Sequence, residues 1–341
     1  MVDLIHIGDY KTGTTWWQRE VFRLSSEIYY LDNPDQHPEI VALRNKLLDL
    51  RDLDFNEASI RKGFIDASKN IGASNKIIAM SCEAFSGRYP NGDYSKCIAE
   101  RLRKVFGKIK IVIVIREQFS MLKAIYSEYV KMGGALSFVE FIFDPVASPG
   151  LIEKLKYHKI IDVYKKLFGP GHVFVGLFEA FKEDDVGFAR RVLEFAGCSE
   201  RLSMDSGKYV VNRSLTRVGV EVQRFINRFL RNDYNPRMPL IPPDRLVSFF
   251  LPAHVKKRLI DNTRTRLVYD RPGFDDKFVL RYAINFAITH HVSRFCERLR
   301  FGPRLTVPED VKIALKDEFL QSNRILRDRH GLDVERWGWR L

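Results

Sequence analysis

Four short runs of continuously apolar residues, 4–8 (LIHIG), 76–81 (KIIAMS), 109–115 (IKIVIVI) and 172–178 (HVFVGLF), punctuate the first two hundred positions. None alternates polar with apolar, so each reads as a strand covered on both faces, as in a parallel sheet. Between them the apolar positions recur at helical spacing, near 14–24, 38–50, 98–106, 118–131, 151–168 and 186–196. Strands alternating with helices predict an α/β three-layer domain of phosphate-loop type around a central parallel sheet.

Beyond about residue 205 the strand pattern stops. In 214–231 the apolar positions Leu215, Val218, Val222, Phe225, Ile226 and Phe229 are separated from Arg217, Arg224, Arg228 and Arg231 on other faces, which predicts an amphipathic helix. The four prolines of 234–243 (YNPRMPLIPP) exclude a helix there and predict a lid-like loop. Short helices and loops are expected up to 341. The expected organisation is a single domain, with 1–200 as the α/β core and 205–341 as a mainly helical extension packed on it.

Composition narrows the function classes. With 45% hydrophobic and 29% charged residues the chain is that of a folded protein, and 56 Lys and Arg against 43 Asp and Glu leave it at +13. Such a surface favours anionic ligands. Cys82, Cys97, Cys198 and Cys296 are widely spaced, with no CxxC pair and no His/Cys cluster, so neither a disulfide framework nor a metal site is expected. That usage points to a reducing, cytoplasmic setting. Residues 2–8 lack the basic and apolar regions of a secretory signal, and no window of about 18 apolar residues predicts a membrane span, though a basic face is compatible with peripheral membrane contact. No nucleic-acid motif accompanies the arginines, so no nucleic-acid partner is expected.

The chemistry concentrates after the first strand. Gly8-Asp9-Tyr10-Lys11-Thr12-Gly13-Thr14-Thr15 leads into a helix near Trp16, a strand–turn–helix arrangement suited to holding a phosphate on backbone N–H groups. Against the nucleotide pattern GxxxxGK[ST], Gly8 and Gly13 stand at the right separation, but Thr14 takes the lysine position and the lysine lies inside the loop, at Lys11. The most apolar strand ends in Arg116, where an ATP-using enzyme typically carries an acidic metal ligand. A second phosphate met directly by a cation, with no metal, is the implication.

Lys11-Thr12-Gly13-Thr14-Thr15-Trp16, followed by Arg116 at the head of a helix, resembles the sulfotransferases that use 3′-phosphoadenosine 5′-phosphosulfate (PAPS). The resemblance covers residue 3 to about 200 and makes the core nucleotide-binding. By position it implies that Lys11 contacts the 5′-phosphosulfate and stabilises the leaving oxygen, that Thr12, Gly13, Thr14 and Thr15 shape the phosphate cradle, and that Trp16 stacks on adenine. Arg116 resembles the arginine of the 3′-phosphate site. The serine that usually follows it by eight residues is Ala124 here, so Ser120 or Ser127 is left to take that hydrogen bond. Arg213 is a candidate replacement for the family's later Arg-Lys-Gly contact.

At the end of the strand 76–81, Ser81-Cys82-Glu83 stands where other members place their base, and Glu83 is the candidate to take the acceptor's proton, with Ser81 near the donor's bridging oxygen. His37 and Glu39 are the next candidates. Phe178-Glu179-Ala180-Phe181-Lys182-Glu183-Asp184 resembles a late family segment whose tyrosine is Phe178 here. The resemblance implies sulfuryl transfer from PAPS, with PAP as product and no metal, to a hydroxyl or amine of a glycan, glycolipid or small-metabolite acceptor. The rival readings are a phosphate-loop kinase or ATPase, and a basic anion-binding protein without catalysis.

Overall fold

A computed structural model describes residues 2–33, 36–48, 54–69, 75–87, 94–199, 215–229, 251–267, 276–298 and 302–341. Its five-stranded sheet has the order β2-β3-β1-β4-β5, from β1 (Leu4–His6), β2 (Ile28–Tyr30), β3 (Ile77–Ser81), β4 (Lys110–Ile115) and β5 (Val173–Leu177). All four pairings are parallel. The expected α/β class with a central parallel sheet is the observed one. The edge strand β2 was not anticipated: its three residues, paired from Ile28 opposite Ile77, are too few to leave a periodic signature.

The helices are α1 (Thr14–Trp16), continued by a π-helical segment Trp17–Phe22, then α2 (Pro38–Leu48), α3 (Glu57–Lys69), α4 (Ser95–Phe106), α5 (Gln118–Lys131), α6 (Phe138–Phe143), α7 (Leu151–Lys154), α8 (His158–Phe168), α9 (Phe178–Glu183), α10 (Asp185–Ala196) and α11 (Arg217–Asn227). Longer helices follow at Ala253–Leu267, Asp276–Arg298 and Glu309–Asp328. The last two run for 23 and 20 residues, which corrects the expectation of short helices and loops. The expected helix over 151–168 is interrupted. Leu155, Lys156 and Tyr157 lie between α7 and α8, with Leu155 and Tyr157 buried.

The chain forms two compact units, one made of Met1–Met121, Ser148–Val210 and Lys312–Leu341, the other of Leu122–Ala147 and Val211–Val311. In the first, the sheet packs on an aromatic cluster that includes Trp16, Trp17, Phe22, Phe178, Phe181 and Phe188. Trp16 meets Phe181 edge-on at 4.9 Å between centroids, and Trp17 lies 5.8 Å from Phe188. Such pairs add to the apolar area each ring removes from water. The tail docks on the same unit, with Trp339 buried beside Tyr157 and the Arg340 carbonyl accepting from Asn323 Nδ2 at 2.8 Å.

In the second unit α11 is turned partly off its apolar stripe, of which Val218, Val222 and Ile226 are half-buried. Phe225 and Phe229 are 61% and 46% exposed, whereas Gln223, Asn227 and Arg224 are buried. Asn227 Nδ2 donates to the carbonyls of Val130 and Gly134, both at 2.8 Å, and Arg224 Nε donates to that of Ala135 at 3.3 Å. The carbonyls at the end of α5 and in the turn beyond it need donors, and the polar face of α11 supplies them. The lid-like loop 234–243, Arg213 and Arg231 lie outside the described residues. No described helix is long and apolar enough to cross a membrane.

Candidate functional site

Because the strands are parallel, the segments leaving β1, β3, β4 and β5 all emerge at one edge of the sheet, where α/β proteins place their ligands. The register sets His6 opposite Ser81 on one side and Val112 on the other. The β1 exit carries the glycine-rich loop, the β3 exit Cys82 and Glu83, the β4 exit Arg116, and the β5 exit Phe178.

The loop is held by its own polar groups. Asp9 Oδ1 accepts from the Tyr10 amide at 2.8 Å, and the Asp9 carbonyl accepts from Thr12 Oγ1 at 2.5 Å. The Gly13 carbonyl then accepts from the Trp16 amide at 2.9 Å, starting the helix. Lys11 adopts φ 62°, a left-handed conformation that costs a non-glycine residue energy and is retained where surroundings enforce it. Gly13 also has positive φ, 87°. Gly8 is required for closeness instead: a Cβ there would lie 2.7 Å from His6 Cε1 and 2.8 Å from Thr14 Oγ1.

Arg116 Nη1 donates to the Lys11 carbonyl at 3.1 Å, and Arg116 Nε to Ser120 Oγ at 2.9 Å. Its guanidinium lies 4.9 Å from the centroid of Phe178, so the ring standing where the resembling family has tyrosine offers Arg116 a π face. Glu179, next to it, accepts from the Glu117 amide at 3.1 Å.

Glu83 opens a 3₁₀ turn, Glu83–Ser86, directly after β3. Crowding by protein atoms pushes its carboxyl up to about 7, countered by the Thr14 hydroxyl and the Lys11 and Lys154 ammonium groups and reinforced by the Asp9 carboxylate. Beside it the Cys82 thiol is pushed up to about 11 by burial, so it stays protonated at neutral pH. Lys11, Gly13, Thr14, Glu83 and Arg116 are thus neighbours along one edge. Thr12 is fully buried and Thr15 exposed. Trp16, 7% exposed, is packed in the core with its Nε1 unpartnered. Ser120 is the serine that meets Arg116, whereas Ser127 lies two helical turns farther along, buried with its hydroxyl unpartnered.

His37 and Glu39 sit at the start of α2. Tyr29 Oη and His37 Nε2 are 2.6 Å apart, and His37 Nδ1 is 3.3 Å from Glu39. They line an open cleft of about 790 Å³ with Leu43, Lys46 and Asp66. Ser81 is buried and occupied: its hydroxyl lies 2.9 Å from His6 Nδ1, and its carbonyl accepts from Gln18 at 3.1 Å.

Three residues escaped the sequence reading. His6 is fully buried beneath Gly8, and desolvation lowers its pKa to about 3, so it is neutral. Asp9 forms an ion pair with Lys154 at 2.8 Å, with both side chains under 10% exposed. Lys154 Nζ also lies 4.8 Å from the centroid of Tyr10. Asp9 was visible inside the loop, but nothing in the sequence links it to a lysine on α7. Among the described residues no cluster of metal-ligating side chains is found.

No family model matches the chain, and no curated protein matches it. Solved structures do, among them the crystal structure of a sulfotransferase from Alicyclobacillus acidocaldarius, at 15% identity and a TM-score of 0.43, covering 79% of this chain and 94% of that one.

Proposed function

We propose that the chain is a sulfotransferase moving a sulfuryl group from PAPS to an acceptor hydroxyl, or less readily an amine, of a carbohydrate, glycolipid or small metabolite. The observation that carries the reading is the arrangement around Lys11: a left-handed lysine inside a phosphate-type loop, its carbonyl held by Arg116, with a carboxylate of raised pKa on the adjoining strand exit. The donor fits these residues. The buried Thr14 hydroxyl beside Glu83 and the side-chain-free Gly8 suit a phosphate cradle, and Arg116 suits the 3′-phosphate. With little of its ring exposed, Trp16 stands behind the loop as a buttress, and adenine stacking would require it to turn outward.

In this reading the acceptor oxygen attacks sulfur as the bond from sulfur to the bridging phosphate oxygen breaks, and PAP departs. Lys11 stabilises charge growing on that oxygen. Glu83 takes the acceptor's proton, and a carboxyl titrating near 7 is suited to general-base work at neutral pH. The test is incubation of the purified protein with labelled PAPS and a panel of glycan, glycolipid and metabolite acceptors, alongside thermal shifts with PAP and with Mg·ATP. Label transfer with PAP protection is expected. Protection by Mg·ATP equal to or greater than that by PAP overturns the reading in favour of a kinase.

A further inference from the structure

We infer that Asp9 and Lys154 form a positioning pair that ties the phosphate loop to α7 beside the Glu83 turn and sets the charge balance under which Glu83 works. In what it says of catalysis, this rests on the sulfuryl-transfer reading. The geometry stands without it.

Asp9 is a junction. One carboxylate oxygen accepts from the Tyr10 amide and faces Lys154 Nζ, both at 2.8 Å, while its carbonyl takes the Thr12 hydroxyl. The same oxygen lies 3.4 Å from Ser86 Oγ, whose single hydrogen is committed mainly to the Glu83 carbonyl at 2.8 Å. The loop, the Glu83 turn and α7 therefore meet at one carboxylate. Lys154 is held from both sides, by Asp9 and by the Tyr10 ring, which are consecutive residues of the loop.

A carboxylate in a loop that receives an anionic donor is electrostatically adverse unless it is neutralised. Lys154 neutralises it, and as both side chains are shielded from water their charges act on neighbours with little screening. The groups facing Glu83 are Lys11, Asp9 and Thr14 from the loop, Lys154 from α7, and the neutral Cys82 thiol on its own strand exit. Tyr157, buried and neutral, faces Asp9. Removing either partner therefore unbalances Glu83, in opposite senses: Asp9→Asn leaves a bare cation that favours the carboxylate, and Lys154→Met a bare anion that disfavours it.

The experiment titrates the Glu83 side-chain carbon by NMR, its resonance assigned by loss in Glu83→Gln. Relative to wild type, the midpoint is expected to fall in Asp9→Asn and rise in Lys154→Met, each by roughly half a pH unit or more. Lys154→Arg keeps the charge and is expected to stay near wild type, and the double variant D9N/K154M to fall between the single ones. If one single variant fails to fold, the other against the double variant decides, Asp9→Asn below it or Lys154→Met above it. An unmoved midpoint, or shifts in the same direction, overturns the inference. The pH profile of transfer is expected to follow the titration. Absence of PAP binding in wild type would sink the proposed reaction, and the titrations would still judge the pair.

Discussion

The sheet edge of the first unit and helix α11 of the second use polarity in opposite ways. At the sheet, β4 is apolar on both faces, and the chemistry is confined to the segments that leave the strands. In α11 the apolar rings of Phe225 and Phe229 face outward, while an asparagine, a glutamine and an arginine are buried. The difference lies in which backbone groups need partners. A parallel strand satisfies its amides within the sheet and needs only apolar cover, whereas the end of α5 and the turn beyond it offer carbonyls that take side-chain donors in addition to the amides of the turn.

The largest effects are expected at the sheet edge. Lys11→Ala is expected to abolish transfer while leaving the melting temperature nearly unchanged. Retention of more than about a tenth of wild-type turnover, a loss under ~1.4 kcal/mol, would remove the role assigned to Lys11. Glu83→Gln is expected to slow turnover by about 10² to 10⁴ while PAP still protects against heat. In wild type the rate is expected to rise with pH through about 7, as Glu83 ionises, and Glu83→Gln to lose that limb.

In α11 the effects move from rate to stability. Asn227→Leu removes the donor to the Gly134 carbonyl and one of the two donors to that of Val130, which keeps the Gly133 amide, and is expected to destabilise by about 1–3 kcal/mol in chemical denaturation, although it replaces a polar residue with an apolar one on an inward face. Phe225→Ser, on the exposed side, is expected to stay within about 0.5 kcal/mol of wild type. If the two results exchanged places, the helix would be oriented as its apolar stripe suggests.

A smaller effect returns to the sheet. A carboxyl raised from 4.5 to about 7 costs stability as pH climbs through that window, since the folded state must then ionise a crowded group. Glu83→Gln is therefore expected to be more heat-stable than wild type at pH 8 and equal to it near pH 4.5. Equal melting temperatures at both values would mean that Glu83 is well solvated.

The sheet was legible in the sequence because burial on both faces leaves unbroken apolar runs, and the glycine-rich loop because its turn requires glycine. Strand β2 and helix α3 were not, the first for its brevity, the second because residues such as Arg61, Lys62 and Asp66 leave it only a narrow buried stripe around Ile60 and Phe64. Lys11, Glu83 and Arg116 could be named from their places after strands, and the structure brings them to one edge. Lys154 could not, since its meaning comes from a contact with Asp9 that spans most of the first unit's sequence. The burial of Gln223, Arg224 and Asn227 in α11 was not legible, because a helical stripe records which residues are apolar, not which carbonyls of a neighbouring turn take a side-chain donor.

The first unit is assembled from three stretches, and its third, Lys312–Leu341, follows the whole of the second in the chain. During synthesis the ribosome therefore releases the second unit's residues before the first can be finished. Bonds such as Gln118 to Asn323 and His158 to Ser322 must wait for that final stretch. Until then the start of α5 and the α8 helix lack these partners, with Phe119 and Tyr157 missing the Phe319 and Trp339 rings, which makes this interval the one in which a chaperone or a protease would find that face most accessible.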